Sequence, residues 1–333
     1  MRGFASRQGS ADPFAWCYRK SHEPFEANIR NIGLEGDFYG FGDESFQADP
    51  AITSREGKHA AAIDALRNGP LGMVDTSAIA PFLGHLAGRV KTFRVGFAGS
   101  VGQLVDFMDE VVSDESKLRT MMLKRSRSEI SKLVREELSK SGKLKGLSPK
   151  RRETLIAHQC RIFFEKARAG ETTVAPESKV YLSLLQSQIE TMARRGHNRA
   201  IVETSGDTHF GGGFHRFIYE VVESDTPLIL GDSGPIGSVD GLNFTYAIKD
   251  IDAMNVVYLP LSTRLGIVGR KSGSDSSLDC RLLNEAAASL SSEFFIAGVR
   301  TPEMESLHRL IGSVPASFLS EEEFDEIKKQ TLG

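Results

Sequence analysis

The stretch Pro227-Leu-Ile-Leu-Gly-Asp-Ser-Gly-Pro-Ile-Gly237 decides how this chain is to be read. Leu228, Ile229 and Leu230 form a short apolar run of the kind that fills a buried strand, and Gly231 to Pro235 interrupt it with turn residues. Two readings stand at this point. Ser233 is a nucleophile presented at a strand end, or the motif is a structural turn in which Asp232 or Ser233 bonds to nearby N–H groups.

Outward from this stretch, the segments "HRFIYEVVES", "LNFTYAIKD", "MNVVYLPLS" and "RLGIVGR" alternate or run continuously apolar between Gly, Asp, Ser and Pro turns, which predicts a sheet of four or five strands after Gly196. The first fifty residues repeat that texture in "FAWCYRK" and "PFEANIRNIG", where a hairpin is expected. Between them the chain reads as helical: Ser54 to Leu66, Val101 to Val112, Ser126 to Lys140, a helix entered at Ser148-Pro149, and Pro176 to Arg195 with Gly196 as its stop. Later helices are expected at Leu278 to Phe295 and at Ser320 to Lys329, where Ser-Glu-Glu-Glu has capping-box form. The expectation is an α+β chain with an antiparallel or mixed sheet from N- and C-terminal strands around a helical middle. It reads as one unit with regions 1–48, 49–196 and 197–333.

The 333 residues suffice for a large core, and no run of about 18 apolar residues exists to cross a bilayer. The N-terminal segment lacks a secretory apolar stretch, so the expected location is the cytoplasm. Cys17, Cys160 and Cys280 are too far apart for a zinc or redox pair and read as buried thiols in a reducing compartment.

Charge is unevenly spread. The net value is −3, yet Lys117 to Arg152 holds 13 Lys and Arg against three Glu. Lys124, Arg125, Arg127, Lys132, Arg135, Lys140, Lys143, Lys145, Lys150, Arg151 and Arg152 have the density needed to line a phosphate backbone. The span contains no aromatic residue for base stacking, so such binding would be backbone-directed and salt-sensitive. The alternative is a solvated helical face, moderated by Glu129, Glu136 and Glu137.

Other motifs favour structural roles. Gly-Asp-Ser-Gly-Pro resembles the serine motif of trypsin-like proteases but lacks the second glycine after the serine, and His22, His59 and His158 sit in contexts unlike that fold. "SGDTHFGGGFHR" offers Asp207, His209 and His215 as metal-binding residue types, although its three glycines read more simply as a turn. "FRVGFAGSVGQLVDF" suggests a strand leading through Gly96, Gly99 and Gly102 into a helix, with spacing unlike a dinucleotide loop. No set of metal ligands is assigned, and the sequence identifies no particular cofactor.

The order of short motifs along the chain resembles the bacterial DUF4238 family, whose members have no established biochemical function. The similarity lies in "RGFA", "FAWCYRK" and "NIGLEGDFY", then "PLILGDSGPI", "YLPLSTRLGIVG" and "LLNEAAASLSSEFFIAG". The family's His-x-x-Pro segment before Arg-Gly-Phe has no counterpart here, and its Ser-Asp order appears as Asp232-Ser233. The resemblance directs attention to Arg264 and Asn284 beside Asp232 and Ser233. An arginine at a strand end can hold a carboxylate or phosphate, and it can equally pair with an acid such as Asp232 for structure alone. The functional expectation is a nucleic-acid-binding protein, with a nuclease-type effector as its enzymatic form, for which Asp232, Ser233, Arg264 and Asn284 are the candidate catalytic residues. The alternatives are a module that meets an acidic protein partner and a hydrolase using Ser233.

Overall fold

The computed structural model describes residues 1–6, 13–32, 48–124, 127–169, 176–203, 212–271, 279–316 and 318–332. Arg125, Asp207 and His209 lie outside them. The chain divides into two compact units: Met1–Gly99 with Glu190–Phe318, and Ser100–Ile189 with Leu319–Gly333. The fold is α+β with two antiparallel sheets. Among the described residues, no helix is long and apolar enough to cross a membrane.

Both sheets belong to the first unit. One has the order β2-β1-β10-β5, formed by β1 (Phe14–Arg19), β2 (Phe25–Asn28), β5 (Leu230–Gly231) and β10 (Phe294–Ala297). The other has the order β3-β4-β9-β8-β6-β7, from β3 (Gly72–Val74), β4 (Ile218–Glu223), β6 (Ile236–Ser238), β7 (Phe244–Tyr246), β8 (Val256–Pro260) and β9 (Leu265–Arg270). The period of two explains its burial. Val257 and Leu259 of β8, with Ile267 of β9, pack in a cluster containing Ile79 and Leu83 of α2 (Thr76–Arg89). Their neighbours Val256, Tyr258 and Val268 face a second cluster with Tyr18, Phe295 and Leu283 of α8 (Cys280–Leu290). Each such fully buried side chain contributes roughly 1.5–3 kcal/mol.

The expected N-terminal hairpin is present as β1 and β2, and it joins β10 through the register Cys17 to Ile296. Four expectations are corrected. The helix ending the chain's late region stops at Leu290, and "EFFIAG" forms β10, because Phe294, Phe295 and Ile296 are β-favouring side chains buried on both faces. The segment before Gly99 is not a strand but the start of α3 (Lys91–Ser113), whose Gly96 and Gly99 let Phe318 and Ala316 approach closely. α7 (Pro176–Glu203) runs through Gly196, at a cost of about 1 kcal/mol relative to alanine. Of the three cysteines only Cys17 is buried, while Cys160 and Cys280 are half-buried. A further short helix, α9 (Pro302–His308), starts from the Thr301 side-chain cap.

The second unit is helical. α4 (Glu115–Lys124) packs on α6 (Pro149–Ala169) and on α10 (Glu321–Leu332), and α5 (Arg127–Lys140) packs on α6. Ser320 and Glu323 form the expected capping box at α10: each side chain accepts the other's backbone N–H. Phe107 and Phe324 meet edge to face at 5.9 Å.

Candidate functional site

Two regions carry chemistry, one in each unit. In the helical unit, α5 and α6 form a hairpin joined by residues 141–148, with Gly142 and Gly146 at φ 71° and 78° making the turns. Ile130 and Leu138 are buried on α5, as is Ile156 on α6. The outward side chains at the tip are cationic: Lys140, Lys143, Lys145, Lys150, Arg151 and Arg152 are all exposed, and residues 140–152 contain no Asp or Glu. Arg152 donates to the Leu147 carbonyl at 2.9 Å. Lys140, Lys143, Lys145, Lys150 and Arg151 make no ion pair among the described residues. Arg135 differs, because it bridges to Glu153 across the hairpin at 2.9 Å. Lys132 is exposed on α5.

The N-terminal half of the basic span is used otherwise. Lys117 is tied to Glu110 and lies 4.0 Å from Asp114, Arg119 donates to the Arg168 carbonyl, and Lys124 donates to the Lys329 carbonyl at 3.2 Å. Arg127 begins α5. The unit's sequence as a whole is nearly balanced, with 19 Lys and Arg against 17 Asp and Glu. Positive charge is therefore a property of the hairpin tip, opposed within the unit by the acidic start of α10, Glu321 to Glu323.

In the sheet unit, the Gly-Asp-Ser-Gly-Pro motif follows β5 as a turn. The half-buried Asp232 carboxylate accepts the backbone N–H groups of Ser292 and Glu293 at 2.8 Å and of Phe294 at 3.2 Å, with the Ser292 hydroxyl also at 3.2 Å. Burial pushes its carboxyl above the ordinary carboxylate range, although these four donors pull it down. Ser233 is 3 % exposed, and its Oγ has no hydrogen-bond partner among the described residues. Gly234 takes φ 71° against Val90, a conformation that suits glycine.

Asn284, 3 % exposed on α8, accepts the Ile229 N–H at 3.1 Å and donates to the Pro227 carbonyl at 2.9 Å. Arg264 lies exposed in the β8–β9 turn, which Ser262 Oγ closes by accepting the N–H groups of Arg264 and Leu265. Asp232 and Arg264 are therefore not an ion pair, since the carboxylate is taken up by the α8–β10 turn. Asp232 and Asn284 both fasten the strand β5 segment, from its two ends, while Arg264 takes no part in either contact set. His215 is exposed in the turn Gly213–Arg216 that precedes β4.

Sequence reasoning passed over a depression of about 400 Å³ lined by Arg19, Lys20, Ser21, His22, Ser292 and Glu293. It lies where the β1–β2 turn meets the α8–β10 turn, the latter being the segment that Asp232 holds. Its residues come from opposite ends of the sequence, and only the positive φ of Ser21, 63°, marks the turn as unusual. Family models, curated proteins and solved structures were compared with the chain, and none matches.

Proposed function

We propose that the protein binds nucleic acid through its phosphate backbone, using the tip of the α5–α6 hairpin. One observation carries this reading. Lys150, Arg151 and Arg152 occupy the first turn of α6, where the helix dipole is positive and disfavours cations by roughly 0.3–1 kcal/mol each. Lys140, Lys143 and Lys145 add to the same field, and no carboxylate within 140–152 relieves it. A polyanion would relieve it, releasing counterions as each phosphate is neutralised. The absence of Phe, Trp and Tyr from 127–152 favours contact with backbone over bases. Cytoplasmic location and kinship with DUF4238 proteins belong to the same proposal, and rest on the residues quoted for them.

The test is fluorescence anisotropy of the full chain with labelled single- and double-stranded DNA and RNA across roughly 50–200 mM salt. The wild type should show log affinity falling linearly with log salt. Lys143→Gln/Lys145→Gln/Lys150→Gln/Arg151→Gln should flatten that slope by about 3–4, one cation per phosphate. Absence of binding at low salt, or an unchanged slope in the quadruple variant, removes the reading. Capture of an acidic protein in place of nucleic acid would turn the same surface to the alternative partner.

A further inference from the structure

We propose that the depression between the β1–β2 and α8–β10 turns binds a small phosphate ester through its phosphate group. The argument starts from charge. Arg19 and Lys20 line the cavity, and Lys91 reaches its wall from the start of α3 to pair with Glu293 at 2.6 Å. Glu293 is the one carboxylate among the lining residues, and Arg19 lies 3.8 Å from it. Three cations face Glu293 and the Asp232 carboxylate that backs the same wall, which leaves one positive charge in excess, and an arginine and a lysine at the rim are the donor types that hold a phosphate group. Lys20 makes no ion pair among the described residues.

The lining also supplies a neutral donor, the Ser21 hydroxyl; that of Ser292 is already donated to Asp232. His22 donates its Nδ1–H to the Lys20 carbonyl at 2.9 Å, which orients the ring at the cavity edge; its Nε2, an acceptor in the neutral ring, is not one of the donors. A volume near 400 Å³ is ample for a phosphorylated metabolite.

Both walls are fixed without any ligand. The β1–β2 turn is closed by the His22 N–H bonding to the Arg19 carbonyl, and it is tied to the other wall by the Lys20 N–H bonding to the Glu293 carbonyl. His308 Nε2 also meets the Arg19 carbonyl at 2.8 Å. Ser21 is held in the left-handed region, at a cost of about 1 kcal/mol that a serine in an idle turn has no need to bear. The opposite wall is held by Asp232 through the N–H groups of Ser292, Glu293 and Phe294. Asp232 is then a positioning residue: it sets the wall and does not touch the ligand.

Inorganic phosphate is the probe, titrated into the full chain while the His22 ring signals are followed by NMR. Saturable shifts with a dissociation constant on the order of 1 mM or tighter are expected. Arg19→Gln/Lys20→Gln should weaken binding at least tenfold. Glu293→Gln should tighten it several-fold, because it removes the charge that repels the anion; damage to the fold would act in the opposite direction. The quadruple hairpin variant should bind phosphate like the wild type, which keeps this outcome separate from the nucleic-acid experiment. No saturation by about 10 mM, or equal affinity in the Arg19/Lys20 variant, overturns the proposal.

Discussion

The carboxylate of Asp232 accepts the backbone N–H of Glu293 at 2.8 Å, joining the turn after β5 to the turn before β10. With the N–H groups of Ser292 and Phe294 it makes a three-amide cradle filled by an internal anion. Removing the carboxylate leaves three partly buried donors unsatisfied together. Asp232→Ala should therefore lower the unfolding free energy by about 2–4 kcal/mol, and Asp232→Asn by less, since the amide oxygen still accepts. Urea denaturation of the three proteins measures this. A loss below about 0.5 kcal/mol for Asp232→Ala would show that the cradle does not hold the turn.

Ser233, the next residue, has the opposite expectation. A nucleophile must meet its substrate, and this hydroxyl is 3 % exposed with no partner among the described residues. Ser233→Ala removes a buried hydroxyl whose desolvation nothing compensates, so its stability should be unchanged or raised by up to about 1 kcal/mol. The thermal melt checks the sign. Reaction of the wild type with a serine-directed phosphonate at Ser233, lost in the alanine variant, would restore the hydrolase reading.

This motif shows what could be read from the sequence and what could not. The apolar run and its breakers announce a strand and a turn, because those choices are local. Which N–H groups Asp232 would meet was not readable, since Ser292 to Phe294 reach it only through the antiparallel pairing of β5 with β10. The start of β10 reads as the end of a helix in the sequence because alanine-rich "NEAAASL" runs straight into "SSEFFIAG", and only burial on both faces separates them. The glycines of α3 and α7 misled in a similar way. Gly96 serves close packing inside a helix, and Gly196 is carried along by a helix fixed elsewhere. The basic span was visible from composition, whereas its division into helix-tied cations and an unpaired tip required the helices to be placed. The depression is least legible of all, being assembled from two short turns without a motif.

His197 was hidden by the expectation that α7 ends at Gly196. It is 3 % exposed, directs Nε2 to the Gly88 carbonyl and packs on Phe93 at 5.2 Å between ring centres. Burial holds its pKa below the ordinary imidazole value, with the nearby Arg94 charge acting in the same direction and the Gly88 bond opposing. The unfolded chain consequently takes up the proton first. Stability from this group is complete above about pH 6.5 and is lost as pH falls through the lower folded value. Thermal melts between about pH 7.5 and 5 should show a decline that His197→Gln reduces. Parallel curves for the two proteins would place the acid sensitivity elsewhere.

Asn284 provides a test in which pH reverses the effect of a substitution. Its amide accepts from Ile229 and donates to Pro227, two residues apart in the chain, so a single side chain satisfies both ends of the segment entering β5. Asn284→Asp keeps the shape and the acceptor but turns the donating end into a second oxygen facing the Pro227 carbonyl. At neutral pH that is a buried charge without a countercharge, and the loss should be about 3–5 kcal/mol. Protonation restores a donor, so the variant's carboxyl titrates above its unfolded value. The variant should then recover toward wild type as pH falls through that raised value, while it remains impaired above it. Asn284→Ala, which has no proton to gain, should stay destabilised across the same range. Urea midpoints for all three proteins at about pH 7 and 4.5 decide the matter, and an Asp variant that tracks the Ala variant at both would mean that the donor to Pro227 is not what fastens the strand.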